Sequence, residues 1–362
     1  MTIREVLRQR LHNQKLLGEL PSQPVDAMRW LGAMQSQEYA MAKWAIGLRA
    51  QNATNDSVEA ALGQGLIVRT HVLRPTWHFV AAEDLRWMLA LTAPHVRLAM
   101  AYMDRKLEID RKFLKRCHAV ITRELRGGSA ATRPELAAIL AKTKLPVLGP
   151  RLAHIFIHAE LDGLICSGPR VGGKSTYQLI EERVPEGKSL SRERALAELA
   201  RRYFSSRGPA TAQDFAWWSG LTLREANVGV EDLTREFDRV TIGKRIYILP
   251  TADLPPKSLL EQANFYLPDY DEYGIAYKDR GALFDSSTNA DQSESVDSLV
   301  AFNRMIVVGG KMVGSWRREE KKDHLTLERK FFAPGNRVRE KRLAEAAERY
   351  ARFVGKPVRL LD

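Results

Sequence analysis

Two glutamines flank a serine in Met34-Gln35-Ser36-Gln37-Glu38-Tyr39. A primary amide donates and accepts hydrogen bonds but has no useful pKa, so a Gln-x-Gln pair can hold a water molecule without strongly activating it. That help suffices only for a leaving group already poised to depart, such as a purine that carries a formal positive charge and leaves neutral. A basic, aromatic-bearing segment, Arg69-Thr-His71-Val-Leu-Arg74-Pro-Thr-Trp77-His78, follows downstream. Together the two segments point to chemistry on DNA. If Gln35 to Gln37 were helical, their side chains would diverge by roughly 200°. Sharing one site therefore demands an extended or turn conformation at the end of the helix read at 24 to 34. Alone, the tripeptide would read as two polar residues at a helix terminus.

The chain must also supply elements to hold these residues. Its 362 residues exceed one ordinary core and fit two to four modules. Lys and Arg number 56 against 44 Asp and Glu, a net charge of +12 that favours a polyanionic partner. Cys117 and Cys166 are the two cysteines, without CxxC or zinc-ligand spacing, so a disulfide framework and a thiolate metal site are not expected. The N-terminus reads as a charged amphipathic helix rather than a signal peptide, and no apolar run nears the length of a membrane span. The expectation is a cytoplasmic, nucleoid-associated protein without membrane contact.

One pattern recurs. Between 111 and 180 lie a helix (Arg111 to Arg126), a second opened by the capping box Thr132-Arg-Pro-Glu135, a third from Pro150 to Gly163, and a strand pair around a glycine-rich tip. Three helices and a hairpin suggest a winged helix. The order returns from 191 to 250, with helices opened at Ser191, Thr211 and Thr222 and a hairpin over Val240 to Leu249. A looser third copy fills residues 1 to 80, with helices near 3 to 15, 24 to 34 and 56 to 63, then short strands at Leu66 to Thr70 and Trp77 to Val80. Each hairpin carries basic residues at its turn: Arg74 in the first, Arg170 and Lys174 in the second, Lys244 and Arg245 in the third. Such side chains can reach a phosphate or a minor groove, although solvated turns often carry Lys or Arg without any partner. The last part alternates as strands over Asn303 to Arg318 and Leu325 to Phe332, then ends in a basic helix from Arg337 to Phe353. Asp285 to Ser298 reads as a loop. The expected fold class is α+β and helix-rich, with modules at 1–110, 111–188 and 189–255, and a β-rich subdomain at 256–362.

Other motifs weaken on inspection. Gly168-Pro-Arg-Val-Gly-Gly-Lys174-Ser175 satisfies the P-loop expression, but β-prone residues and Pro185 follow it where a P-loop needs a helix. A glycine-rich wing explains it better. His154 and His158 have the i, i+4 spacing of a zinc pair, yet no Glu stands beside His154 and no third ligand is apparent in the sequence. They read as packing or phosphate contacts. Trp217-Trp218 could be a base-stacking platform and reads as core. Asp269, Asp271 and Glu272 could bind a metal, serve as acid or base, or buttress a domain junction. Lacking a second acidic cluster, they read as a junction.

The chain resembles the bacterial winged-helix DNA glycosylases of the AlkZ and YcaQ (AlkX) type, nearly end to end. The carrying segments are Met34 to Tyr39 with Ala42-Lys-Trp-Ala45, Arg69 to Phe79, Leu161 to Arg170, Arg207 to Gly220, and Leu267-Pro-Asp-Tyr-Asp-Glu-Tyr273. The resemblance implies three tandem winged-helix modules and a β-rich C-terminal unit in a C-shaped, basic DNA-binding architecture. It implies monofunctional excision of N7-alkylpurines from double-stranded DNA and, in some members, unhooking of interstrand crosslinks, without cofactor or metal. The Gln-x-Gln motif of the AlkZ branch falls on Gln35 and Gln37 as the catalytic pair; the YcaQ branch has Asp at the second position, where this chain has Gln37. Contacts to DNA are assigned to Arg69, His71, Arg74, Trp77, His78, Arg170, Lys174, Lys244 and Arg245. Tandem modules let a monomer suffice. Two other readings make different demands: a transcription regulator would bind DNA without releasing a base, and a nuclease built on Asp269, Asp271 and Glu272 would need a divalent ion.

Overall fold

A computed structural model describes residues 1–143, 145–147, 149–187, 189–231, 233, 236–284, 303–332 and 337–361. The Asp285 to Ser298 loop expected from sequence lies outside the described residues.

The chain opens with α1 (Ile3–Asn13), closed at its N-terminus by a capping box of Thr2 and Glu5. There follow α2 (Pro24–Leu31), β1 (Ala33–Gln35), α3 (Tyr39–Gly47), α4 (Asn55–Gly63), β2 (Ile67–His71) and β3 (Trp77–Ala81). A 22-residue helix, α5 (Leu85–Lys106), leads out of this unit. Next come α6 (Arg111–Leu125), β4 (Ala131–Thr132), α7 (Arg133–Ala141), α8 (Pro150–Leu161), β5 (Ile165–Ser167), β6 (Thr176–Leu179) and the short α9 (Ile180–Arg183). After them stand α10 (Arg192–Arg207), α11 (Ala212–Ser219), α12 (Leu223–Glu231), β7 (Phe237–Ile242) and β8 (Arg245–Pro250). The chain continues through α13 (Leu259–Gln262), β9 (Asn264–Tyr266), α14 (Glu272–Ile275), β10 (Met305–Val308), β11 (Lys311–Glu320), β12 (Leu325–Phe331), α15 (Arg337–Val354) and β13 (Val358–Leu361).

The first and second units share one connectivity. A helix leads to a short strand, two more helices and a hairpin, and the sheets run β1-β3-β2 and β4-β6-β5. The third has three helices and the two-stranded sheet β7-β8. The last sheet has the order β13-β12-β11-β10-β9, with β13 parallel to β12 and the other pairs antiparallel.

In the first unit the elements differ from those read in the sequence. The helix expected over 24 to 34 stops at Leu31, because Gly32 takes φ +75° and turns the chain into β1. Arg207 fixes that turn from outside by donating to the carbonyls of Leu31 and Ala33 at 2.7 Å each. The helix α3 went unread, since its residues from Met41 to Gly47, Lys43 included, are all buried and show little amphipathic periodicity. The sheet β1-β3-β2 is likewise buried on both faces. Met34, Phe79 and Ile67 enter a core shared with Phe265, Tyr273, Trp316 and Tyr350 of the C-terminal part. Ala33, Val80 and Val68 enter a second core with Trp87 of α5 and Tyr203, Phe215 and Trp218 of α10 and α11. A third core, around Ile121, Leu136, Ile155 and Leu179, belongs to α6–α8 and their hairpin.

The C-terminal part is tied to the first by charge as well. Asp271 receives Arg49 through two hydrogen bonds of 2.8 Å, both side chains being almost wholly buried. Arg49 also donates to the carbonyls of Gln14 and Ala45, so its fork is fully used. We expect Asp271→Ala, which strands a buried guanidinium, to destabilise the chain by about 3–5 kcal/mol in urea unfolding, and the double replacement Arg49→Met/Asp271→Leu to recover much of that loss.

Candidate active site

The two glutamines stand at the open end of β1. Register pairs Ala33, Met34 and Gln35 with Val80, Phe79 and His78. Ser36 prolongs the ladder by one bond, its N–H donating to the Trp77 carbonyl at 2.7 Å. The backbone is therefore extended at Gln35 and Ser36, Gln37 follows in a bend, and the side chains of both glutamines reach the turn between β2 and β3. Ser36 faces the other way. Gln35 is buried and Gln37 exposed.

Each amide is held at its carbonyl. Arg74 donates from Nη2 to Gln35 Oε1 at 3.0 Å. A guanidinium has no acceptor, so this contact fixes the amide's orientation and sends its NH2 group away from Arg74. The Thr76 hydroxyl donates to Gln37 Oε1 at 2.9 Å. Each carbonyl keeps a lone pair and each amide its N–H donors, enough to seat a water molecule. Neither amide is a base.

Arg74 itself is not the free turn cation the sequence suggested. The turn between β2 and β3 is tucked inward: Leu73 takes φ +62°, its N–H donates to Thr92 Oγ1 at 3.1 Å, and its carbonyl oxygen lies against Gly220 so closely that a Cβ there would sit 2.2 Å away. Gly220 caps α11 at φ +72° and must remain glycine on both counts. Burial lowers the Arg74 pKa, the nearby Glu272 opposing that shift.

Glu272 is the residue on which the site closes. Wholly buried, it accepts from the Gln35 backbone N–H (3.1 Å) with one oxygen. The other accepts from Arg207 Nε (2.9 Å) and Nη2 (2.7 Å) and from Trp218 Nε1 (2.9 Å). Asp269 pairs separately with Arg304 at 2.7 Å and Asp271 with Arg49, so the three carboxylates diverge to three arginines instead of converging on one ion. The junction reading describes them. Trp218 is core, while Trp217 is 39% exposed and donates to the Ile275 carbonyl.

The remaining candidates divide into two groups. Arg69 donates to the carbonyls of Ser36 (2.8 and 3.1 Å) and Gln37 (3.1 Å), and lies over the Trp77 ring at 4.1 Å. His71 is buried, bonded through its ring and its backbone N–H to Glu160 of α8, with Trp77 packed beside it at 5.0 Å. His78 is buried between Gln35 and Thr70, its Nδ1 donating to the Thr76 carbonyl at 3.0 Å. All of these shape the glutamine segment from behind. Arg170 and Lys174 are exposed on the β5–β6 turn, with Arg170 lying over the Tyr39 ring at 4.8 Å, next to the glutamines in the chain. Lys244 and Arg245 occupy the β7–β8 turn, where Arg245 pairs with Asp279. A cavity of about 230 Å³ lined by Tyr39, Arg69, Trp77, Glu160 and Tyr177 opens on the sheet face opposite the glutamines.

The model of the family described as "DNA glycosylase AlkZ-like" matches residues 28–353. The chain belongs to the AlkZ-like DNA glycosylase family. The fold agrees: a solved structure, the Streptomyces sahachiroi DNA glycosylase AlkZ, superposes with a TM-score of 0.78 at 21% sequence identity, covering 100% of both chains. No curated protein matches the sequence. The enzyme is thus a DNA glycosylase acting on DNA, and among its described residues no helix is long and apolar enough to cross a membrane.

Sequence reasoning placed the glutamines and found the acidic segment but missed what joins them. Arg207 and Trp218, on consecutive helices, lie far along the chain from both Glu272 and the glutamines, and the signal that could have linked them was the adjacency of Asp271 and Glu272, two acids without an obvious surface role in an apolar stretch.

Burial holds His78 neutral, pushing its pKa well below 6.5, with the Arg74 charge acting in the same direction. The unfolded chain then binds the proton first as pH falls, so stability is full above about 6.5 and is lost toward lower pH. Urea midpoints measured from pH 7.5 to 5 should fall in the wild type and fall less steeply in His78→Gln, the difference approaching about 1.4 kcal/mol per pH unit at most.

Proposed function

We propose that this glycosylase hydrolyses the N-glycosidic bond of N7-alkylated purines in double-stranded DNA, with Gln35 and Gln37 holding the water that captures the sugar. The observation that carries this reading is the pair of amides anchored by one turn, Gln35 by Arg74 and Gln37 by Thr76. They can orient a nucleophile and offer no strong base, which matches a leaving group already cationic. As the glycosidic bond breaks, the purine leaves neutral and the deoxyribose becomes oxocarbenium-like at C1′. Water then adds there, and its proton passes to solvent. Anchoring matters because a free glutamine would spend its rotamers on other partners; here Arg74 and Thr76 remove that freedom before the substrate arrives.

The same chemistry extends to a crosslinked guanine attached through N7, since the bond broken and the charge on the base are alike. Arg170, Lys174, Lys244 and Arg245 support phosphate contact from their exposed turns, against a chain of net charge +12. Arg69, His71, Trp77 and His78 support the glutamine segment. One chain is sufficient as the acting unit.

Release of free 7-methylguanine from N7-methylated duplex DNA in EDTA tests the proposal. Wild type should release the base, and Gln35→Ala and Gln37→Ala should each slow single-turnover release by on the order of a hundredfold while still binding DNA. Undiminished release by both variants would refute the role of the glutamines, and intact adduct with bound wild type would refute the substrate.

A further inference from the structure

The two histidines whose spacing suggested a metal have a third partner that the sequence concealed. His154 and His158 stand one turn apart on α8, and Asp104, near the C-terminal end of α5, reaches both: its Oδ1 lies 2.6 Å from His154 Nδ1 and its Oδ2 lies 3.0 Å from His158 Nε2. One ligand atom from each of the three residues falls within 4.8 Å of the other two. The side chains are 14%, 15% and 7% exposed in the order Asp104, His154, His158, mostly buried yet open enough for an ion to enter and for water to complete its shell.

We propose that Asp104, His154 and His158 form a site for a divalent first-row transition metal, zinc above all, that clamps α5 to α8. Two imidazoles and one carboxylate on one side of an ion are a recurrent ligand set for such metals, leaving positions for water. Magnesium and calcium, which favour all-oxygen shells, fit poorly. Ligand atoms around a tetrahedral zinc with bonds of about 2.0–2.1 Å stand a little over 3 Å apart, so small side-chain rotations accommodate the ion. Binding requires each neutral imidazole to carry its proton on the nitrogen turned away from the ion. The carboxylate balances half of the metal's charge. The next charges outward, Arg97 and Asp162, are paired with each other and add no net charge.

The competing account is a hydrogen-bonded clamp in which Asp104 simply accepts from both rings. The two differ in metal uptake. Tag-free full-length protein, stripped with chelator and dialysed, is titrated with Co²⁺ and with Zn²⁺, followed by visible absorption, by metal analysis after gel filtration and by thermal unfolding. The site predicts one equivalent of metal retained, cobalt d–d bands, and an unfolding temperature raised by zinc but not by magnesium. His154→Ala and Asp104→Asn, checked for native far-UV circular dichroism, should lose the bands and weaken binding by at least about tenfold. No stoichiometric uptake by wild type would overturn the site without recourse to any variant. Uptake unchanged in both folded variants would place the metal elsewhere and overturn it equally. The site shares no residue with the glutamine site, so its failure would leave base release in EDTA untouched.

Discussion

The ion pair of Arg207 and Glu272 is the interaction on which the rest of the arrangement depends. Both side chains are completely buried, and neither tolerates loss of the other, because an isolated charge in that interior would cost several kcal/mol. Each group uses its remaining capacity on a different part of the chain. Arg207 reaches the carbonyls on either side of Gly32, where a helix gives way to a strand. Glu272 reaches the backbone N–H of Gln35 and the indole of Trp218. A residue of α10 and a residue of α14 thereby set where β1 begins and how its edge is satisfied. The position of the short strand that ends in Gln35 is dictated by charges that never touch solvent.

Around that pair the site is built by restricting side chains of little intrinsic reactivity. The donors Arg74 and Thr76 orient the amides, and Arg69 holds the carbonyls of Ser36 and Gln37 from the opposite face. Such an arrangement sets Arg74 and His78 in surroundings that oppose their charged forms, which for His78 costs stability only toward lower pH. What it secures is a segment with few alternative conformations, which suits the proposed reaction, where placement of the nucleophile counts for more than its strength.

Much of the fold was legible because local signals agreed. Capping boxes at Thr132 and Thr211 opened helices where expected, and period-two alternation marked β11 and β12. In the first unit the strands read at Leu66 to Thr70 and Trp77 to Val80 fall on β2 and β3, whereas α3 and β1, buried on both sides, show no periodicity to interpret and went unread. Gly32 was the missed punctuation mark: its left-handed backbone ends α2 three residues early. For the site, types and spacing pointed to Gln35 and Gln37, but Arg74 looked like a hairpin-tip cation because nothing local reveals that Gly220, far along the chain, admits the turn into the interior. The same limit hid Asp104 from the two histidines. Contacts made across helices leave no periodic trace.

The order of these contacts along the chain has a consequence for synthesis. The glutamines leave the ribosome with their strand and Arg74, whereas Arg207, Trp218 and Glu272 follow only after a long intervening stretch. Until then the edge of β1 lacks the acceptor for the Gln35 N–H, and Met34 and Phe79 lack the apolar partners supplied by Phe265 and Trp316. Early units of a chain ordinarily settle before later ones are made. Here the unit that carries the glutamines stays unfinished until the later residues are made, so a chain ended before them carries Gln35 and Gln37 without the contacts that fix their strand.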